Sequence, residues 1–355
     1  MKYLARGLLL LVVLYVAFLF LAPLPLDLGT YQAEPMPPAT GAEAPNTLLS
    51  HVDRLELGHF APEDVALDSQ GRIYGGTIDG KIMRLDPSGK NPEVFADTHG
   101  RPLGLIFDRD GSLLVCDAAK GLLRVSTDGA VKVLATEADG VPFRCTNDLD
   151  VAADGTVYFT DSSFKYPIEA FMVDLVEHVP HGRFMSYNPK TNAVTVLARD
   201  LYFANGVAVS PDQSFVVFVE TADYRVDRYW LTGPKKGQRE VFADNLPGVP
   251  DGILGDGHGG YWVTLVTPRD PTFDWLLAHP QLRKVYLKLP GFLHPKQKDY
   301  AYVAKLDGDG KVVETLQDDS PTAFIKITNA VERDGQLYLG NIGQSSIGRA
   351  ALPKP

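Results

Sequence analysis

The chain has 355 residues, enough for one large domain or two ordinary ones, and its 45% hydrophobic content supports a sizeable core. A formal net charge of -10, with no basic block after residue 6, argues against a nucleic-acid partner. Two cysteines, Cys116 and Cys145, exclude a disulfide-dense scaffold and a cysteine-based zinc site; whether the two pair or remain buried thiols is left open.

Residues 1–30 read as a membrane anchor. Lys2 and Arg6 precede "GLLLLVVLYVAFLFLAPLPL", an uncharged apolar run of the length a helix needs to cross the bilayer core. No clean small-x-small cleavage site follows, so an uncleaved anchor is expected. The short positive N-terminal side predicts a cytoplasmic N-terminus, with the rest of the chain periplasmic, lumenal or extracellular. Residues 31–48, including "YQAEPMPPATGAEAPN", are rich in Pro and Ala and read as a tether.

Residues 49–355 return repeatedly to one pattern, a short apolar strand, an Asp/Gly turn and a second strand. It appears as "EDVALDSQGRIY" from Glu63, "LGLIFDRDGSLL" from Leu103, "NDLDVAADGTVY" from Asn147, "NGVAVSPDQSFV" from Asn205 and "DGILGDGHGGYW" from Asp251. A sixth, "ITNAVERDGQLY" from Ile327, fits less neatly. Six such units, each followed by further strand-like runs, predict an all-β fold, a six-bladed β-propeller behind an N-terminal transmembrane helix.

Equivalent positions in a propeller form a ring about the central axis. The first residues of the repeats bring Glu63, Asn147, Asn205 and Asp251 together, with Leu103 among them. Read alone, Asn205-Gly206 and Asp251-Gly252 are turn dipeptides. Together, two carboxylates and two amides offer hard oxygen donors with no His or Cys, the set that calcium prefers. Two insertions, 163–182 and 270–300, carry aromatic and aliphatic residues at helical spacing. They read as lids over the metal or, through Trp275, Leu276, Tyr286 and Phe292, as a contact with the bilayer. His99 and His258 read as exposed turn residues.

With these residues in hand, the chain resembles the calcium-dependent six-bladed propeller superfamily of gluconolactonase/senescence marker protein-30, paraoxonases and strictosidine synthase-like proteins. The resemblance is closest to the strictosidine synthase-like branch that includes the adipocyte plasma membrane-associated protein. Segments "NDLDVAADGTVYFTDSS" and "FANGVAVSPDQSFVVFVETADYRVDRYWLTG" carry it, and it extends over nearly everything from residue 50 onward. It implies calcium ligands at Glu63, Asn147, Asn205 and Asp251, and a second, structural calcium at Asp64 and Asp148. It places Leu103 where paraoxonases have a histidine, and no glutamate matches the one used by strictosidine synthase; Glu332 lies in a turn. The expected activity is calcium-dependent hydrolysis of a small hydrophobic lactone or aryl ester, the ion polarising the carbonyl and Asp251 serving as base. The rival from another class is a non-catalytic, membrane-tethered calcium-binding module.

Overall fold

The computed structural model describes residues 2–32 and 34–353, and it contains the six-bladed propeller. Six four-stranded antiparallel sheets form the blades. Blade 1 runs from Val65–Leu67 to Glu93–Asp97, blade 2 from Pro102–Phe107 to Val131–Ala135, and blade 3 from Thr146–Val151 to Ala193–Leu201. Blade 4 runs from Ala204–Val209 to Arg239–Ala243, and blade 5 from Gly248–Gly255 to Val312–Asp318. Blade 6 takes Ile327–Arg333, Gln336–Asn341 and Ser346–Ala351 from late in the chain. Its outer strand is Asp53–Glu56, which pairs antiparallel with Ser346–Ala351. That exchange ties both ends of the propeller into one blade.

The inner strands touch each other in sequence around the axis, and that of blade 6 returns to that of blade 1. Apolar side chains fill the spaces between sheets: Cys116 and Leu122 of blade 2, for example, pack with Leu149, Phe159 and Met185 of blade 3. Both cysteines are buried free thiols, which settles the question left by their count.

The Asp/Gly turns repeat one hydrogen-bonding scheme. In blade 1, Asp68 Oδ1 accepts the N–H groups of Gln70 and Arg72 at 2.9 Å each. Such turns fix the register of each hairpin and thereby the height of the inner-strand residues in the channel.

The two insertions leave the ends of second strands in blades 3 and 5, on the ring side of the propeller. They form helix α2 (Phe171–Glu177) and helices α3 (Pro271–Leu277) and α4 (Pro280–Lys288). The N-terminal apolar segment is a 20-residue helix, Lys2–Leu21, long and apolar enough to cross a membrane. It meets α4, whose Lys288 Nζ donates to the carbonyl oxygens of Leu19 and Ala22 at the helix's C-terminal end.

The chain from Asp27 to Asn46, which includes most of the segment 31–48 read as a tether, is bonded to the propeller and its insertions. Asp27 N–H donates to Glu177 Oε1, Arg269 donates to the Glu34 carbonyl, and the Asn245 amide donates to the Pro35 carbonyl. Buried Arg283 donates to the Gly29 carbonyl at 2.8 Å, and Tyr31 donates to Asp274 at 2.7 Å. A Cβ at Gly29 would stand 1.8 Å from the His178 carbonyl oxygen, so only glycine lets the strap pass so close. Further on, the Asn46 side chain bonds the outer strand of blade 5 at Thr315 and Gln317. Composition did not anticipate this because the propeller supplies most of the partners through the segment's backbone groups.

Candidate metal and active site

Every blade places one residue of its inner strand at the mouth of the channel. Leu149 pairs with Phe159 and Thr146 with Asp161, leaving Asn147 and Asp148 together in an irregular step of the ladder. Blades 2, 4 and 5 show the same step, and blade 6 a shorter one that leaves Thr328 alone. The bulge turns the first of these residues toward the axis. Asn205-Gly206 and Asp251-Gly252 are therefore strand residues, not turns. A Cβ on Gly206 would lie 2.6 Å from the Asp251 carbonyl oxygen, and one on Gly252 would lie 2.4 Å from that of Thr328. These glycines are needed for blade-to-blade approach.

Hydroxyls close the ring in register. Thr160 Oγ1 donates to the Asn205 carbonyl at 2.8 Å, Thr264 Oγ1 to the Thr328 carbonyl at 2.8 Å, and Thr328 Oγ1 to the Glu63 carbonyl at 2.5 Å. The sixth ring residue is thus Thr328, not Ile327, because blade 6 has one residue fewer before its turn. The ring reads Glu63, Leu103, Asn147, Asn205, Asp251 and Thr328.

The four predicted oxygen donors occupy four of these six positions. The Asn147 amide donates to Ser162 Oγ at 2.8 Å, and the Asn205 amide donates to Thr221 Oγ1 at 3.1 Å. With the nitrogens so engaged, the amide oxygens of Asn147 and Asn205 are left as free acceptors. Burial, followed by the charge of Glu63, pushes the Asp251 carboxyl well above the usual carboxylate range. Burial also raises Glu63, against the opposing pull of Arg101.

Arg101 is the residue that sequence reasoning missed. Its guanidinium donates to Glu63 Oε2 at 3.0 Å and to the Ala61 carbonyl at 3.0 Å, and its side chain is almost entirely buried. It sits two residues before Leu103 in "RPLGL", one strand position too early for a repeat-based reading to assign it to the ring.

One residue deeper lie Asp64, Asp148 and Asn329. Asp64 accepts the N–H of Val65 and of Leu105 in blade 2, each at 2.6 Å. Asp148 accepts those of Leu149 and of Val207 in blade 4, each at 2.9 Å. Both carboxylates thus stitch neighbouring blades. Burial and the charge of Asp148 raise Asp64 well above its usual range, while burial lifts Asp148 to about 7. The buried Asn329 Oδ1 has no hydrogen-bond partner among the described residues.

Calcium fits these residues. Buried carboxylates that repel one another, together with an orphaned amide oxygen, gain most from a hard cation. Among the described residues no three His, Cys, Asp or Glu gather into one group, so half of the ring's side-chain donors are the amides of Asn147 and Asn205. His99 and His258 are exposed and stand outside the ring, and Glu332 accepts from the Trp262 indole at 2.7 Å.

Above the ring, α3 and α4 enclose a cavity of about 960 Å³. Met172, Phe273, Leu276, Leu282 and Tyr286 form apolar parts of its wall. Thr221, whose hydroxyl receives the Asn205 amide, is among its lining residues, and the four oxygen donors of the ring are not. Such a volume suits a small-molecule ligand.

The comparisons with known proteins agree with this architecture. Residues 147–234 match the strictosidine synthase family model, and residues 41–85 match the strictosidine synthase-like N-terminal model. Strictosidine synthase-like 6 of Arabidopsis thaliana is 40% identical over 303 residues, covering 83% of this chain and 80% of that protein. The chain belongs to the strictosidine synthase-like family. Another relative is the adipocyte plasma membrane-associated protein of Bos taurus, 35% identical over 340 residues, with 89% of this chain and 82% of that protein covered. Among solved structures, a gluconolactonase from Xanthomonas campestris superposes with a TM-score of 0.64 at 19% identity, covering 90% of this chain and 99% of its own. A calcium-binding regucalcin from Agrobacterium tumefaciens gives 0.60 at 17% identity, with 84% and 93% covered. At these identities the structures establish the shared propeller fold.

Proposed function

We propose that this strictosidine synthase-like protein is a membrane-anchored, calcium-dependent hydrolase of hydrophobic lactones or aryl esters. The observation that carries the reading is the oxygen ring of Glu63, Asn147, Asn205 and Asp251 with an apolar cavity on its side of the propeller, Thr221 lining the cavity and bonding Asn205. Solved structures named as a gluconolactonase and as a calcium-binding protein share the fold and lend support.

Calcium, when bound, would supply positive charge to an ester carbonyl as the oxyanion develops. The protein's own residues do the rest. Ser162 and Thr221 hold the amides of Asn147 and Asn205, which fixes where their oxygens point. Arg101 orients Glu63. Asp251, one of the two carboxylates of the ring, would take the proton of the attacking water. The apolar wall excludes bulk water and selects hydrophobic groups. Asp64 and Asp148, one residue deeper, would hold a second calcium, which would offset the mutual repulsion of their charges.

Helix Lys2–Leu21 would be the anchor, its N-terminus cytoplasmic and the propeller on the far side of the membrane. A plasma membrane-associated relative is in keeping with this. One observation favours the rival, a calcium-binding module without catalysis: Arg101 occupies an oxygen of Glu63 that a substrate-bearing ion would otherwise use.

The test assays the full chain in nanodiscs against phenyl acetate and a panel of γ- and δ-lactones, with calcium and with excess chelator. The hydrolase reading expects activity that chelation removes, calcium restores and Asn205→Ala abolishes. Calcium binding with no turnover on any substrate would move the module ahead.

A further inference from the structure

The charge of the chain is unevenly distributed. Against a net charge of -10, the stretch from Pro280 to Lys298 contains Arg283, Lys284, Lys288, Lys296 and Lys298 and not one acidic residue. It includes α4 and the loop that follows, and it walls the apolar cavity.

The same stretch is tied to the apolar helix. Lys288 Nζ donates to Leu19 at 2.9 Å and also to Ala22, capping that helix at its C-terminal end. Where Lys2–Leu21 leaves the hydrocarbon, α4 is therefore at the level of the lipid headgroups. Apolar side chains stand out of the protein at this level: Phe292 is 85% exposed, Trp275 55% and Leu293 51%. Trp275 and Leu293 also line the cavity, and so mark its mouth. Tyr286, read from sequence with Trp275 and Phe292 as a bilayer contact, is instead buried in the cavity wall.

We propose that this mouth lies in the headgroup layer of the membrane and that the cavity takes a single long acyl chain drawn laterally from the bilayer. Arg283 is buried and Lys288 caps the apolar helix, which leaves Lys284, Lys296 and Lys298 to face lipid phosphates, and the exposed Trp and Phe suit the interface. The acyl chain fills the space between α3 and α4, with its ester or lactone end toward Thr221 and Asn205. The inference rests on the proposed hydrolase for the fate of the ligand, and it specifies the substrate class as a lipid-borne ester or lactone.

Two measurements on the full chain in phosphatidylcholine/phosphatidylserine nanodiscs test it. Lipids brominated near the glycerol end should quench tryptophan fluorescence, and Trp275→Phe should lose most of that quenching, since Trp262 is buried and Trp230 sits at the opposite end of blade 4. Irradiated diazirine-bearing phospholipid and palmitate should leave adducts on Leu282 and Tyr286, mapped by peptide mass spectrometry. Quenching unchanged by Trp275→Phe, or adducts confined to Phe292 and the Lys2–Leu21 helix, would overturn the proposal. Neither result touches the hydrolase reading, which the water-soluble phenyl acetate assay decides separately.

Discussion

The ring and the lid of this propeller are built by opposite means. The ring takes one residue from each of six repeats, and hydroxyls, carboxylates and the glycines Gly206 and Gly252 lock it between blades. The lid is made of unrelated pieces: two insertions, a strap and an apolar helix, joined by long basic side chains such as Arg269, Arg283 and Lys288. Chemistry that depends on fixed oxygen donors belongs in the first region. Selection of a ligand by shape and greasiness belongs in the second, where change does not disturb the blades.

The largest expected effect separates the two regions by activity. Asp251→Asn should lower kcat by roughly 100- to 10,000-fold, the usual worth of a positioned base, while leaving the melting curve of the propeller cooperative. Steady-state kinetics on phenyl acetate beside a thermal melt would show it. Loss of folding instead of turnover would mean that Asp251 serves the blades and not the reaction.

Next in size is Arg101→Ala, which leaves the nearly buried Glu63 carboxylate without its guanidinium. A loss of about 3–5 kcal/mol is expected in chelator, as for a broken buried pair. Calcium should recover part of it in denaturant unfolding, because a cation can replace the missing charge. No recovery would weaken the case for Glu63 as a ligand.

Much of the ring was legible in the sequence, and the reason is physical. A propeller repeats its backbone, so a constant spacing from each Asp/Gly turn returns a constant place in the channel. That logic found Glu63, Asn147, Asn205 and Asp251. It slipped at blade 6, where one residue fewer before the turn moves the ring position from Ile327 to Thr328. It passed over Arg101, whose role depends on a side chain reaching back across a blade boundary. The strap was opaque for a different reason. Its Pro/Ala composition signals flexibility, but Arg269 and Asn245 take the carbonyls of Glu34 and Pro35, and Thr315 and Gln317 bond Asn46, all of them more than 200 residues away in sequence.

A third prediction sharpens the lid side. Gly29→Ala forces the strap away from the His178 carbonyl, and limited proteolysis should then cut within residues 31–48 well before it cuts wild type. The propeller itself should resist as before. The smallest effect is expected of Lys288→Ala: losing a charge at a helix C-terminus costs about 0.3–1 kcal/mol, visible as faster amide exchange in residues 19–22.

The central claim is that the ring holds calcium, and isothermal titration of the full chain in nanodiscs tests it most directly. Wild type should bind calcium and gain about 2.7 kcal/mol of stability at a hundredfold excess over Kd. Asn147→Ala, Asn205→Ala and Asp251→Asn should each weaken that binding strongly. Calcium affinity indifferent to all three substitutions would contradict the account.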